Sequence, residues 1–320
     1  MPEGILRRML AEAERPILMD GGMGTMIEDR GIDVASMIWG SYCFVDGQGR
    51  EINDQLHADY LEAGAKILIA NTHNTRLAKC VAFLDTLAAN ELPTCVAEAD
   101  TSRRPEVFHR WLHEQAVDSA KRAIPSGADV ALASCLGSVE PLGPYAQESQ
   151  ISSEEAYRRL LPEWQARRDS GVDLILFETL TTRSEIEGVA RLAREQDMGD
   201  FAVGLTCRSD GQTMANISMA EVADILGDAK PLIYFVQCTR YDYVNAALEP
   251  LQAQLMPSEM TGVYANDGRI WKNRQWEGEK ISPKRYAEEA SRWQQMGVRV
   301  IGGCCGIGPD HIAKLRTILA

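Results

Sequence analysis

The chain has 320 residues, 45% apolar and 25% charged, ordinary values for a soluble globular protein that exclude a collagen-like, coiled-coil or disordered chain. Thirty-three Lys and Arg against 46 Asp and Glu leave a formal charge of −13, which repels a phosphate backbone and argues against nucleic acid as a partner. The eight cysteines are too few for a disulfide framework, Met1 to Leu10 is too mixed for a signal peptide, and no apolar run approaches the ~18 residues of a membrane span, so a cytoplasmic protein with reduced thiols is expected.

Short apolar runs alternate with segments of helical period along the whole chain, the pattern of βα units around a parallel sheet. In chain order, strands are predicted at 16–20, 67–71, 130–135, 174–178, 201–206, 232–238, 261–266 and 298–302, with helices at 51–63, 105–124, 154–170, 184–195, 220–226, 242–255, 283–296 and 309–319. Eight strands are the number that closes a barrel. A glycine closes a helix, and a strand starts about two residues later, at Gly64, Gly127, Gly171 and Gly297, which points to one repeating βα architecture. No linker divides the chain, so residues 1–320 are read as one domain, a (β/α)8 TIM barrel. The connections 71–129, with its proline-bounded piece 93–105, and 266–282 follow strands and are expected over the face where barrel enzymes keep their sites.

The strand ends are polar and sulfur-rich: Asp20, Asn71-Thr72, Ser134-Cys135, Glu178-Thr179, Thr206-Cys207, Cys238-Thr239, Asn266-Asp267 and Cys304-Cys305. Cys43, Cys80 and Cys95 lie away from the mouth and read as small core residues. The run Ile301-Gly302-Gly303-Cys304-Cys305-Gly306 differs, because flanking glycines free the backbone to turn two adjacent sulfurs toward one point. Cys238 offers a third thiolate across the mouth, with Cys135 and Cys207 as competitors. Three soft ligands without an evident fourth match an open, catalytic zinc site, while a vicinal redox pair or two buried thiols is the plainer reading. At the first strand end, Asp20-Gly21-Gly22-Met23-Gly24-Thr25 places a carboxylate beside free amides, partners for the ammonium and carboxylate of an α-amino acid. This turn lacks dinucleotide-binding spacing. Glu178 closes an apolar run and suits either an amino-group contact or a salt bridge within the barrel. His311 is expected to pack or cap the last helix.

Taken together, the Cys304-Cys305 pair, Cys238, the Asp20-Gly21-Gly22 start, Asn71-Thr72, and Glu178-Thr179 followed by Glu185 resemble the homocysteine S-methyltransferase family, in order from Asp20 to about Ile312. The resemblance implies a (β/α)8 barrel with Zn²⁺ held by Cys238, Cys304 and Cys305, and with Asp20 and Glu178 holding the amino group of homocysteine. The amides of Gly21, Gly22 and Met23 are placed here at its carboxylate. It further implies that the zinc-bound thiolate of homocysteine takes a methyl group from a sulfonium or quaternary ammonium donor, giving methionine. The chain length fits the branch using S-methylmethionine or S-adenosylmethionine, with betaine a further possibility. Trp39, Trp271 and Trp276 are candidates to face that cation. Departures from the family pattern at His73, Ala265-Asn266-Asp267 and 93–105 lie in loops and bear on the donor rather than the zinc. Two rival readings are a metal-free barrel lyase or aldolase with Glu178 as base, for which Lys66 stands at the wrong strand end, and a thiol redox sensor.

Overall fold

The computed structural model describes residues 4–88, 91–143, 145–272 and 275–319, the side chains of 270–275 excepted. Eight parallel strands form one sheet: β1 (Ile17–Leu18), β2 (Ile67–Ala70), β3 (Ala131–Leu136), β4 (Leu174–Leu180), β5 (Phe201–Leu205), β6 (Ile233–Arg240), β7 (Met260–Asn266) and β8 (Val300–Gly303). Each pairs with its neighbours in chain order from β2 to β8, and β8 pairs with β1. A Met19–Ile67 bridge, with the Asp20 N–H on Ile67 O at 3.0 Å, closes β1 onto β2. All eight predicted strands are present, β1 shorter than expected and β4 and β6 running past their predicted ends. The four glycines take positive φ, from 68° at Gly171 to 112° at Gly64, a conformation that costs glycine nothing; Gly64 caps its helix directly, whereas Gly127 lies in the turn after a helix that already ends at Ala123.

Although the barrel strands are almost wholly buried, their side chains divide between two apolar clusters with period two. Ile17, Met19, Ile67, Ile69, Ala131, Ala133, Leu174, Leu176, Ile233 and Phe235 fill the barrel. Leu18, Leu68, Leu132, Ile175, Phe177, Tyr234 and Val236 pack outward against the helices. This is why the strands read as continuous apolar runs rather than as alternation.

The helix Ile5–Glu12, absent from the sequence prediction, buries Leu6 and Leu10 in the barrel-filling cluster. Arg7 pairs with Asp200 at 2.6 Å and Arg8 with Asp129 at 2.5 Å, acidic residues just before β5 and β3. The helix therefore plugs the end of the barrel opposite the site. The elaborated piece 93–105 forms the short helix Thr94–Ala97, which packs with the preceding Leu77–Leu84 on the long helix Arg104–Ala123. In 266–282 the strands Ile270–Lys272 and Gln275–Glu277 pair as a hairpin. Cys95 is exposed, contrary to its expected role in packing, whereas Cys43 and Cys80 are buried as expected.

Two histidines on the outer helices are buried with both ring nitrogens unpartnered, His57 and His113. Burial lowers His57 from its ordinary 6.5 to about 4 and holds His113 well below its usual value. Since the folded value is depressed, the unfolded chain binds the extra proton, so stability is present above pH 6.5 and lost as pH falls toward 4. His57 alone is expected to make unfolding at pH 5 easier than at pH 7 by about 2 kcal/mol. Urea denaturation at the two pH values measures this, and His57→Phe should remove much of the difference; an undiminished pH loss in that variant would refute the assignment.

Candidate metal centre and acidic slot

β6 delivers Cys238 by breaking its own alternation. Ile233 and Phe235 point into the barrel, so a regular strand would point residue 237 inward and residue 238 outward. Instead the register with β7 shifts between Gln237 and Arg240, and Cys238 takes φ 46°, a conformation rare for any residue with a Cβ. The Asn266 amide holds this turn by donating to Cys238 O at 2.8 Å. Both Gln237 and Cys238 thereby reach the same cluster.

Cys304 and Cys305 follow β8 in the glycine-rich turn, where Cys304 N–H donates to Ala265 O at 2.8 Å and Ile307 N–H to Cys304 O at 3.1 Å. Gly306 has φ 78°, and a Cβ there would lie 1.9 Å from Asp267 Oδ2, so no side chain fits. The result brings Cys305 Sγ to 3.8 Å from Cys238 Sγ and 4.0 Å from Cys304 Sγ, and all three sulfurs lie within 4.8 Å of one another. A tetrahedral ion with ~2.3 Å metal–sulfur bonds spaces its sulfurs about 3.8 Å apart.

The charge balance agrees with that spacing. Hydrogen bonds from the Cys304 and Cys305 thiols pull Cys238 well below the usual thiol range, while the same contacts with Cys238 hold Cys304 and Cys305 well above it. Three sulfurs this close do not all ionise without a cation among them, a charge that a soft divalent ion would supply. The competitors stand elsewhere: Cys207 Sγ turns back to Leu205 O at 3.7 Å, and Cys135 Sγ lies near Thr72 and Ala70 O.

Two neighbours of the thiols were not legible as site residues. Tyr145, exposed on the loop after β3, brings its Oη to 3.4 Å from Cys238 Sγ. Gln237 donates from Nε2 to Cys304 Sγ at 3.6 Å while its Oε1 accepts the Thr179 N–H at 2.9 Å. The Tyr145 loop is braced by buried Glu185, whose Oε1 accepts Ser138 Oγ at 2.5 Å and Val139 N–H at 2.8 Å. Glu185 thus works through this loop rather than at the thiols. Asn71 and Thr72 are likewise structural: Asn71 Nδ2 donates to Gly40 O and Asn53 Oδ1, both at 3.0 Å, and Thr72 Oγ1 to Cys135 O at 2.9 Å.

Near the thiols stand two buried carboxylates, Asp20 and Glu178. Asp20 is fully buried; its Oδ2 accepts the Ile69 N–H at 2.7 Å and its Oδ1 has no partner. Burial, opposed by the Ile69 hydrogen bond and increased by the charge of Glu178, raises the Asp20 carboxyl well above its ordinary range. Glu178 accepts Tyr264 O–H at 3.1 Å on Oε1 and lies 2.8 Å from His73 Nδ1 through Oε2. Of the two roles expected for Glu178, the contact within the barrel is present as these hydrogen bonds to Tyr264 and His73. Thr179, at φ 56°, makes at β4 the same left-handed break that Cys238 makes at β6.

The glycine turn corrects one placement. The Gly22 N–H donates to Ile307 O at 2.9 Å and is not available to a ligand, leaving Gly21 and Met23 from the three amides expected there. Gly21 and Gly22 serve close approach, since Cβ atoms would lie 2.2 Å from Ile307 O and 2.5 Å from Cys304 O respectively. His311 caps its helix as expected, its Nδ1 accepting Gly308 N–H at 3.3 Å and its Nε2 meeting Ile281 O at 3.0 Å. The tryptophans fit a donor contact poorly. Trp276 is covered by the Arg269 guanidinium at 5.3 Å and donates to Glu28, Trp39 stands edge-on to His73, and the Trp271 side chain lies outside the described residues.

A parallel barrel with three converging thiols and a buried carboxylate with an unpartnered oxygen at its C-terminal mouth defines a class, the barrel enzymes that keep their chemistry on that face. The particular family follows from comparison: residues 17–319 match the family model described as homocysteine S-methyltransferase. The chain belongs to the homocysteine S-methyltransferase family and is an enzyme that transfers methyl groups to homocysteine. It is 27% identical to homocysteine S-methyltransferase 3 of Arabidopsis thaliana, over 95% of this chain and 89% of that one. It is 26% identical to homocysteine S-methyltransferase of Escherichia coli, over 97% of each, and 23% identical to selenocysteine methyltransferase of Astragalus bisulcatus, over 100% of this chain and 97% of that one. The metallated form of the Escherichia coli homocysteine methyltransferase MmuM superposes with a TM-score of 0.77 at 23% identity, over 98% of this chain and 99% of that chain, which fixes the fold. Among the described residues, no helix is long and apolar enough to cross a membrane.

Replacing Cys238 or Cys304 by Ala is expected to abolish stoichiometric metal binding, read by elemental analysis, with secondary structure retained. Tyr145→Phe should weaken metal affinity on the order of tenfold, as loss of a hydrogen bond to a ligand does elsewhere; unchanged affinity in a chelator competition would show that the Tyr145 contact is incidental.

Proposed function

We propose that the protein transfers a methyl group from a cationic donor, S-methylmethionine or S-adenosylmethionine ahead of betaine, to the sulfur of homocysteine at a Zn²⁺ held by Cys238, Cys304 and Cys305, giving methionine in the cytoplasm. The observation that carries this reading is the set of three sulfurs 3.8–4.0 Å apart along two of its edges, beside a buried carboxylate with one oxygen unpartnered. Soft sulfur donors with tetrahedral spacing fit zinc and leave a position for a fourth sulfur. Bound there, Zn²⁺ would supply the Lewis acidity that keeps a coordinated thiol deprotonated at neutral pH.

The remaining work falls to side chains. Asp20 and Glu178 grip the ammonium of homocysteine, and the Gly21 and Met23 amides face its carboxylate. With both ends of the amino acid held, its side chain extends toward the thiols. The sulfur attacks the methyl carbon in line with the departing sulfur or nitrogen, which leaves neutral, so no general base is needed at the methyl group. Hydrogen bonds from Tyr145 to Cys238 and from Gln237 to Cys304 spread the negative charge of the ligand set. The formal charge of −13 suits a positively charged donor.

A donor panel with homocysteine, followed by methionine formation and zinc content in the same sample, tests the reading. Turnover with a sulfonium donor and about one zinc per chain is expected; activity that survives the double replacement of Cys304 and Cys305 would overturn it in favour of a metal-free reaction. Asp20→Asn is expected to raise KM for homocysteine on the order of 10- to 100-fold through loss of a charged hydrogen-bond partner, with a smaller effect on kcat.

A further inference from the structure

Asp20 and Glu178 form a problem that the structure solves with specific donors. Two carboxylates facing one buried slot tend to trap a proton between them, and a trapped proton stands where an ammonium would bind. The Ile69 N–H addresses Asp20 at 2.7 Å. Glu178 is addressed on both oxygens, by Tyr264 O–H at 3.1 Å from inside the barrel and by His73 at 2.8 Å from the loop after β2.

The His73 ring is fixed on its other sides. A Cβ at residue 137 would lie 2.7 Å from His73 Cε1 and 2.8 Å from Nε2, so the Gly137 backbone lies close against that edge. Gly137 N–H also reaches His73 O at 3.4 Å, and Trp39 meets the ring in an edge geometry at a centroid distance of 6.4 Å. The imidazole therefore presents Nδ1 to Glu178. The His73 Nδ1 lies 2.8 Å from Glu178 Oε2, and since a carboxylate accepts, the donor role falls to Nδ1. Cys135 completes the surroundings, its sulfur within 4.8 Å of the ligating atoms of both His73 and Glu178.

We propose that His73 is a positioning residue for the acceptor: by donating from Nδ1 to Glu178 Oε2, it keeps that carboxylate aimed toward Asp20, and so sets the selection of thiols that carry an α-amino group over thiols that lack one. This rests on the reading in which Asp20 and Glu178 hold the ammonium. His73 acts through Glu178 and touches neither the thiol cluster nor the methyl group. Removing it leaves Glu178 held by Tyr264 at Oε1 and frees the carboxylate to turn away from the ammonium.

The test uses zinc-loaded full-length protein and equilibrium binding of two probes, L-homocysteine and 4-mercaptobutyrate, the same chain without the amino group. The wild type is expected to prefer homocysteine. His73→Phe, which keeps an aromatic ring against Trp39, should reduce that preference about tenfold with zinc content and 4-mercaptobutyrate binding unchanged, as loss of one charge-assisted hydrogen bond predicts. His73→Asn, whose amide nitrogen can replace Nδ1, should retain most of the preference, and in turnover the loss in His73→Phe should appear in KM for homocysteine rather than in kcat. Full preference in His73→Phe, equal weakening toward both probes, or failure of Asn to rescue overturns the assignment of His73. A wild type that binds both probes equally overturns instead the ammonium reading beneath it, so the two failures are told apart by which protein shows them.

Discussion

The seam between the first and last barrel strands is the constraint on which the site depends. Asp20 O accepts the Gly303 N–H at 2.9 Å, Ile307 O accepts the Gly22 N–H at 2.9 Å, and Thr25 Oγ1 accepts the Gly306 N–H at 3.0 Å. These bonds knit a turn near residue 20 to one near residue 305, and only barrel closure makes them neighbours. The glycines on both sides allow the approach, since a Cβ at Gly21 or Gly22 would strike Ile307 O or Cys304 O, and one at Gly302 would strike Asp20 O. The buried Asp20 carboxylate and two of the three thiols are thus one structure, built from the two ends of the chain.

Opposite the seam, two residues in left-handed backbone aim the rest. Cys238 and Thr179 each sit where a strand loses register with its neighbour, a conformation that costs of order 1–3 kcal/mol for a residue with a side chain. Side-chain hydrogen bonds offset that cost, from Asn266 to Cys238 O and from Thr179 N–H to Gln237 Oε1. Gln237 joins the breaks, since its other amide atom reaches Cys304. A shift in either strand end would therefore be felt at both the thiols and Glu178.

Electrostatics gives the mouth a common logic. Three thiols and two buried carboxylates gather at one mouth, and each set has a matching cation in the proposed reaction, the metal for the sulfurs and the ammonium of homocysteine for the carboxylates, while the methyl source is itself a sulfonium or quaternary ammonium. Local donors keep the carboxylates poised in the meantime, the Ile69 amide on Asp20, and Tyr264 and His73 on Glu178. The opposite end of the barrel carries none of this chemistry and is closed by an amphipathic helix with apolar residues inward and arginines on strand-start carboxylates.

What the sequence determined by itself was everything that repeats or punctuates. Eight apolar runs, glycine stops between helix and strand, and glycines around Cys304-Cys305 and after Asp20 are local signals, because periodicity and backbone freedom are local properties. They were enough for the barrel and for the Cys304-Cys305 pair, whereas Cys238 as third thiol, and Asp20 and Glu178 as the amino-group partners, came from the family resemblance. The tertiary structure alone decided the rest, for reasons of the same kind. Cys238 outranks Cys207 because of a strand bulge that no residue pattern announces, and the Gly22 amide is lost to a ligand because Ile307 arrives from 285 residues away. Tyr145 reaches a thiol from an irregular loop, Trp276 spends its face on Arg269, and His73 meets Glu178 only when β2 and β4 stand in one barrel. Contacts between residues distant in sequence depend on closure, and closure is a property of the whole chain.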